Sequence, residues 1–245
     1  MDSNIWLDKI PADTFSRQDI YSSACKSKPG FRETQLRNLM AELLNSGAIV
    51  RVGRNLYQKP AGNCKGIYKS TLSPEALAAA GILKEKFPYM NCCIWELSLF
   101  NEFLVHLAGQ NRIFVEADKE SCEYVYSALA DSYPGRVLLR PSQKELTYYG
   151  NKNCVIVDRL ITEAPVKDSV NGSVSVEKMI VDLFANRYLR SMISKGDYPA
   201  MLENIFSKYA VDQTRLFRYA RRRNKHRELA DFIKEHTNIM LLTGI

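Results

Sequence analysis

The sequence predicts a mixed α/β (α+β) chain of two domains: an N-terminal winged helix-turn-helix, then an α/β middle region with a helical C-terminal part. Three observations predict it. Residues 14–59 read helix, turn, helix and short hairpin; residues 89–160 alternate apolar runs with helical ones; from Ser175 onward the periodicity is helical. The domains expected are 1–60 and 67–245, with the Pro- and Gly-containing stretch 60–66 between them.

The elements follow in order. Ser3–Ile10 has the pattern of a short first helix, with Trp6 a core residue. Ser16 is an N-cap, and Asp19 completes an acidic variant of the capping box, so a helix begins there and runs to about Cys25. Lys28-Pro29-Gly30 breaks it. The next helix repeats Leu36, Leu39, Met40, Leu43 and Leu44 at a spacing that buries one face, and Gly47 suits the position after its end. Ala48–Val52 and Leu56–Gln58 then flank Gly53-Arg54-Asn55 as a hairpin. Ser73 and Pro74 open a helix to about Glu85. Strands are expected at Cys92–Trp95, Arg112–Ala117, Arg136–Leu139 and Asn153–Asp158, and helices at Ser98–Leu107 and Lys119–Ser132. The helical end divides into Val176–Ile193, Pro199–Tyr209, Gln213–Arg223 and Lys225–Thr237, with an apolar tail Ile239–Ile245.

Composition bounds the function. With 245 residues, 46% hydrophobic, the chain can build real cores, which argues against global disorder. The net charge of +7 mildly favours a polyanionic partner. Within 14–59, eight basic side chains stand against three acidic ones. The six cysteines show no CxxC spacing and no zinc-finger histidines, so neither a metal nor another cofactor is expected. Without an apolar leader or a run of ~18 apolar residues, the reading is a cytoplasmic protein with no membrane partner.

A winged helix places its second helix in the DNA major groove and its hairpin on the flanking backbone. The residues expected to carry DNA binding are Arg32, Thr34, Gln35, Arg37 and Asn38 on that helix, Lys26 and Lys28 at the turn, and Arg51, Arg54 and Asn55 on the wing. A second basic feature is the acid-free stretch Gln213–Arg227. Its Arg215, Arg218, Arg221, Arg222, Arg223 and Lys225 form an expected anion or partner patch, with Leu216 and Tyr219 turned to the core.

Catalytic signatures are sparse. There is no GxxxxGK[ST] loop and no GxSxG elbow, and no Asp or Glu has Lys two residues later. Gly172-Ser173 lacks the paired carboxylates of a nucleotidyltransferase, and His106, His226 and His236 are scattered. Glu116 and Asp118, closing a strand, are the one pair that could hold a divalent ion. Two alternatives to DNA regulation therefore stay open: a protein-interaction module, and a DNA-targeted nuclease using Glu116 and Asp118.

The stretches ETQLRNLMAELLNSGAIVRVGRNLY, IWELSLFNEFL, RIFVEADKE and VEKMIVDLF, taken in order, resemble AbiEi-type antitoxins. These are transcriptional regulators of type IV toxin–antitoxin and abortive-infection systems. The resemblance implies a non-enzymatic autorepressor whose winged helix binds inverted repeats in its own promoter. It further implies a C-terminal domain with antitoxin activity and a cognate nucleotidyltransferase toxin.

Overall fold

The computed structural model describes residues 7, 9–10, 14–60, 66–105, 107, 109–149, 154–168 and 173–242. The expected first helix falls mostly outside these residues, as do Trp6 and most of the stretch 60–66.

The N-terminal unit consists of β1 (Thr14–Phe15), α1 (Arg17–Ser27), α2 (Glu33–Asn45), β2 (Val50–Gly53) and β3 (Leu56–Gln58). Its strands form an antiparallel sheet in the order β1-β3-β2, so the strand ahead of the helix pair closes on the last strand of the hairpin. That is the winged helix-turn-helix arrangement. Ser16 caps α1 as expected: its Oγ accepts from Asp19 N at 3.3 Å, and Asp19 Oδ2 accepts from Ser16 N at 2.7 Å. Gly30 and Gly47 adopt φ of +81° and +74°, which a Cβ would disfavour, and so turn the chain at both ends of α2. Ile20, Leu36, Met40, Leu43 and Ile49 bury together with Leu7, Ile10 and Phe15.

A second, larger core begins at Tyr68. α3 (Pro74–Lys86) precedes a four-stranded sheet of β4 (Cys92–Glu96), β5 (Arg112–Ala117), β6 (Val137–Leu139) and β7 (Cys154–Arg159). The order is β4-β5-β7-β6; β4 runs antiparallel to β5, and the other pairs are parallel. α4 (Cys122–Ser132) carries the chain from β5 to β6, and α5 (Gln143–Tyr149) returns it to β7. Buried strands such as Cys154–Val157 are apolar throughout because both faces are covered. After the short pair β8 (Val166–Asp168) and β9 (Ser173–Val174) come α6 (Val176–Ala185), α7 (Leu189–Met192), α8 (Tyr198–Lys208), α9 (Gln213–Arg222) and α10 (His226–His236).

Two helix expectations are corrected. Ser98–Leu107 is instead a 3₁₀ stretch, Leu97–Glu102. Leu97, Phe100 and Phe103 recur every third residue and all bury, a spacing that suits three residues per turn. Val176–Ile193 is not one helix, because the Asn186 side chain accepts from Tyr188 N (2.9 Å) and Leu189 N (3.4 Å), competing with the helical ladder.

The helical end covers the sheet face that carries Trp95, Phe114 and Glu116. Trp95 stacks on Phe114 with centroids 4.0 Å apart. Over them lies Lys178, whose side chain is only 2% exposed. Its Nζ bonds Asp182 Oδ2 at 2.6 Å and Glu116 Oε2 at 2.9 Å, and sits 5.0 Å from the Trp95 ring centroid. Asp182 Oδ1 also accepts from Tyr219 OH and Arg223 NH1, each at 3.1 Å. Burial opposes the lysine charge, but Asp182 and then Glu116 outweigh it and hold Lys178 well above the ordinary lysine range. Burial pushes the Glu116 carboxyl up, only partly offset by Lys178. Removing one member of such a network strands the rest in a dry site. Lys178→Met should therefore cost about 3–5 kcal/mol, read as a lower urea midpoint at unchanged m-value. A variant as stable as the parent would show that the network contributes nothing net.

Candidate nucleic-acid interface

The buried stripe of α2 fixes what its other side presents. With Leu36, Met40 and Leu43 inward, Thr34, Gln35, Arg37 and Asn38 are exposed, as is Arg32 just before the helix. Lys26 and Lys28 are exposed at the turn between α1 and α2. The wing tip is the two-residue loop Arg54-Asn55 between the paired Gly53 and Leu56, and both tip residues are exposed. Asn55 takes φ +53°, a conformation asparagine tolerates better than most residues.

The tip is tied to the helix pair. Asn55 Oδ1 accepts from Arg17 N at 3.1 Å, and Arg17 in turn lies 3.6 Å from Glu33 at the start of α2. A shallow cleft of about 210 Å³ lies among Arg17, Gln18, Tyr21, Glu33, Leu36 and Asn55. The start of α1 is not an open phosphate seat. Asp19 occupies it, its carboxyl held below the usual range by the Ser16 backbone and hydroxyl.

Several expected binding residues have other duties. Arg51 is not a free wing cation: its Nε donates to Gly53 O at 3.0 Å and lies 3.4 Å from Asp212 Oδ2. The side chain of Asp212 is 6% exposed and that of Arg51 46%, so the pair bridges a buried acid and a still accessible guanidinium. Gln35 is exposed, but its Oε1 accepts from Arg32 N at 2.9 Å and so fastens the start of α2. Asn55 shares its side chain with α1. Arg223 leaves the basic patch altogether for Asp182, and Lys225 pairs with Glu228 at 2.6 Å.

The rest of the patch lies on α9 as the periodicity requires. Arg218, Arg221 and Arg222 are exposed, while Leu216, Phe217, Tyr219 and Ala220 are buried. Arg218 stands 4.0 Å from Glu163, Arg222 Nε donates to Thr162 Oγ1 at 2.6 Å, and Arg221 NH2 lies 3.4 Å from His226 Nε2. Arg215 lines a cleft of about 170 Å³ between the wing unit and the helical end, with Leu44, Arg51, Glu177 and Asp212 among its neighbours.

Asp212 was not singled out by the sequence reading, yet it joins these parts. Its Oδ1 caps α9 by accepting from Arg215 N at 3.1 Å, its N–H donates to the buried Glu177 at 2.9 Å, and its Oδ2 meets Arg51. Its N-cap role was legible, since an aspartate directly precedes a strongly amphipathic run. Close packing completes the joint: a Cβ at Gly53 would lie 3.1 Å from Leu242 Cδ1 and 3.8 Å from Thr214 Oγ1. Leu242 N donates to Gln213 Oε1 at 2.9 Å, which brings the chain's last described residue against the wing.

The metal-binding alternative loses its pair. Glu116 is buried and bound to Lys178 and Trp95, whereas Asp118 is exposed beyond the end of β5. Among the described residues no group of three or more His, Cys, Asp or Glu could hold a metal ion. None of the described helices is long and apolar enough to cross a membrane.

A family model described as a family of unknown function, DUF6577, matches residues 35–239. The chain belongs to that family. The DUF6577 match begins within α2 and takes in the wing, the sheet and the helical end as one stretch. No curated protein matches the chain.

His226 offers a test of the basic patch. Burial first, then Arg221 and Arg227, lower its pKa below the ordinary 6.5. The unfolded chain therefore takes up a proton more readily than the folded one, so this histidine's contribution is present above about pH 6.5 and lost as pH falls through its folded value. Unfolding of His226→Gln, followed from about pH 7.5 to 5, should show a shallower loss of stability than the parent. An identical slope would mean that the fold does not lower the His226 pKa.

Proposed function

We propose that this chain is a DNA-binding transcriptional regulator that reads duplex DNA with α2 and grips the flanking backbone with the wing tip. The observation carrying this is the polar face of α2, with Arg37, Asn38 and Thr34 exposed, beside an exposed Arg54 on a short wing closed by β1. Arginine and asparagine can make bidentate contacts to guanine and adenine edges, while an arginine at a wing tip suits phosphate.

The wider assignment follows the resemblance to AbiEi-type antitoxins: a cytoplasmic autorepressor, not an enzyme, that binds inverted repeats in its own promoter and counteracts a nucleotidyltransferase toxin. The commitment of Glu116 to Lys178 favours this reading over a nuclease. Of the α2 residues, Arg37 and Asn38 are the principal base readers, because the Gln35 Oε1 is occupied at the helix start.

The test is titration of the protein against its own upstream region and a scrambled duplex at two salt concentrations. Selective binding that weakens steeply with salt is expected. Asn38→Ala should cost about 1–3 kcal/mol at one base step and little elsewhere, whereas Arg54→Ala should weaken all duplexes alike and lower the salt slope by about one. Equal, weak binding to both duplexes would overturn operator reading, and a shift that needs a second protein would point to an interaction module.

A further inference from the structure

We infer that the exposed arginines of α9 extend the wing's phosphate contacts, so that the duplex-binding surface runs from the wing tip onto the C-terminal helices. This rests on the reading of the chain as a duplex-DNA binder and adds a second element to that surface.

The placement comes from the joint already described. Gly53, one residue before the wing tip, packs on Thr214 in the first turn of α9. On an α-helix, positions 218, 221 and 222 fall on the same side as 214 within about 80°. All three are arginines and all are exposed. Arg222 lies eight residues beyond Thr214, about 12 Å along the axis. Starting at the wing tip, the surface thus carries Arg54, then Arg218, then Arg221 and Arg222, leading away from the contact. Duplex DNA carries about one charge per 1.7 Å of axis, so a backbone held at Arg54 and following α9 brings several phosphates within reach.

The neighbouring groups suit this role. Glu163 stands 4.0 Å from Arg218 with both side chains more than half exposed, a pair that a phosphate can displace, and Asp231 acts on His226 beside Arg221. Arg222 meets a hydroxyl and Arg221 a histidine whose pKa is lowered, so neither is neutralised. Asp212 is turned to Arg51 and to the α9 backbone. Arginines in the last turn of a helix also complement its macrodipole, which explains helix stability but not why the row begins at the wing.

The test compares the full chain with its Arg218→Gln/Arg221→Gln/Arg222→Gln variant and with the corresponding triple Lys variant. Binding to the upstream duplex and to a scrambled duplex is measured from 50 to 200 mM salt. Each phosphate contact accounts for roughly 3.5-fold of the affinity lost over that range. The Gln variant should therefore lose about 40-fold less across it, with the selectivity ratio unchanged, and the Lys variant should restore most of the slope. Arg218→Gln alone, away from the last turn of α9, should lower the slope by about 0.9 and serves if the triple variant unfolds. A parent that binds selectively while its Gln variants keep the parental slope would overturn the extended surface and leave the winged-helix reading standing. A change in selectivity at an unchanged slope would also overturn it. If the parent binds no duplex, the proposed function fails, and this inference with it.

Discussion

A single buried ammonium holds the larger half of the molecule in register. Lys178 reaches back to β5 through Glu116 and along its own helix to Asp182, and Asp182 draws in Tyr219 and Arg223 from the end of α9. In a dry core none of these charges can stand alone. The requirement that each find its partner therefore fixes where α6 and α9 lie over the sheet. Apolar packing would have allowed these helices to slide; directional charged hydrogen bonds leave them far less freedom.

That constraint propagates outward. Glu177, the residue before Lys178, accepts from the backbone of Asp212, and Asp212 both begins α9 and meets Arg51 on the wing. From sheet to α6 to α9 to wing, each step is a hydrogen bond or ion pair to a buried acid. The wing tip and the exposed row of α9 owe their relative placement to that chain of contacts, and so the basic surface they present is set partly by residues far from it.

Much of this was legible in the sequence, and the exceptions have physical causes. The Ser16–Asp19 box, the apolar stripe of α2, the wing and the four strands of the sheet were read from local signals that tertiary packing did not override. Ser142 and Glu145 form a reciprocal cap at the start of α5, a short helix whose only sequence signal is that box. What could not be read locally was the pairing of distant charges. Arg51 looks like a phosphate ligand until Asp212, 161 positions later, is brought beside it; Arg223 looks like part of a basic face until Asp182 claims it. Charge type identifies what a side chain can bind, and only the fold decides which partner arrives first.

The joint at Gly53 bears on how portable the winged-helix unit is. A winged helix whose hairpin ends in solvent can be grafted from one protein to another as a cassette. Here the hairpin strand carries a glycine because Leu242 and Thr214 crowd against it, and an arginine because an acid from the helical end waits for it. A chimera carrying only residues 14–60 would expose Arg51 without its counter-charge and leave an empty seat where α9 had been. In this chain the winged helix and the body behind it form one heritable piece, so substitutions on β2 and at the start of α9 are expected to change together.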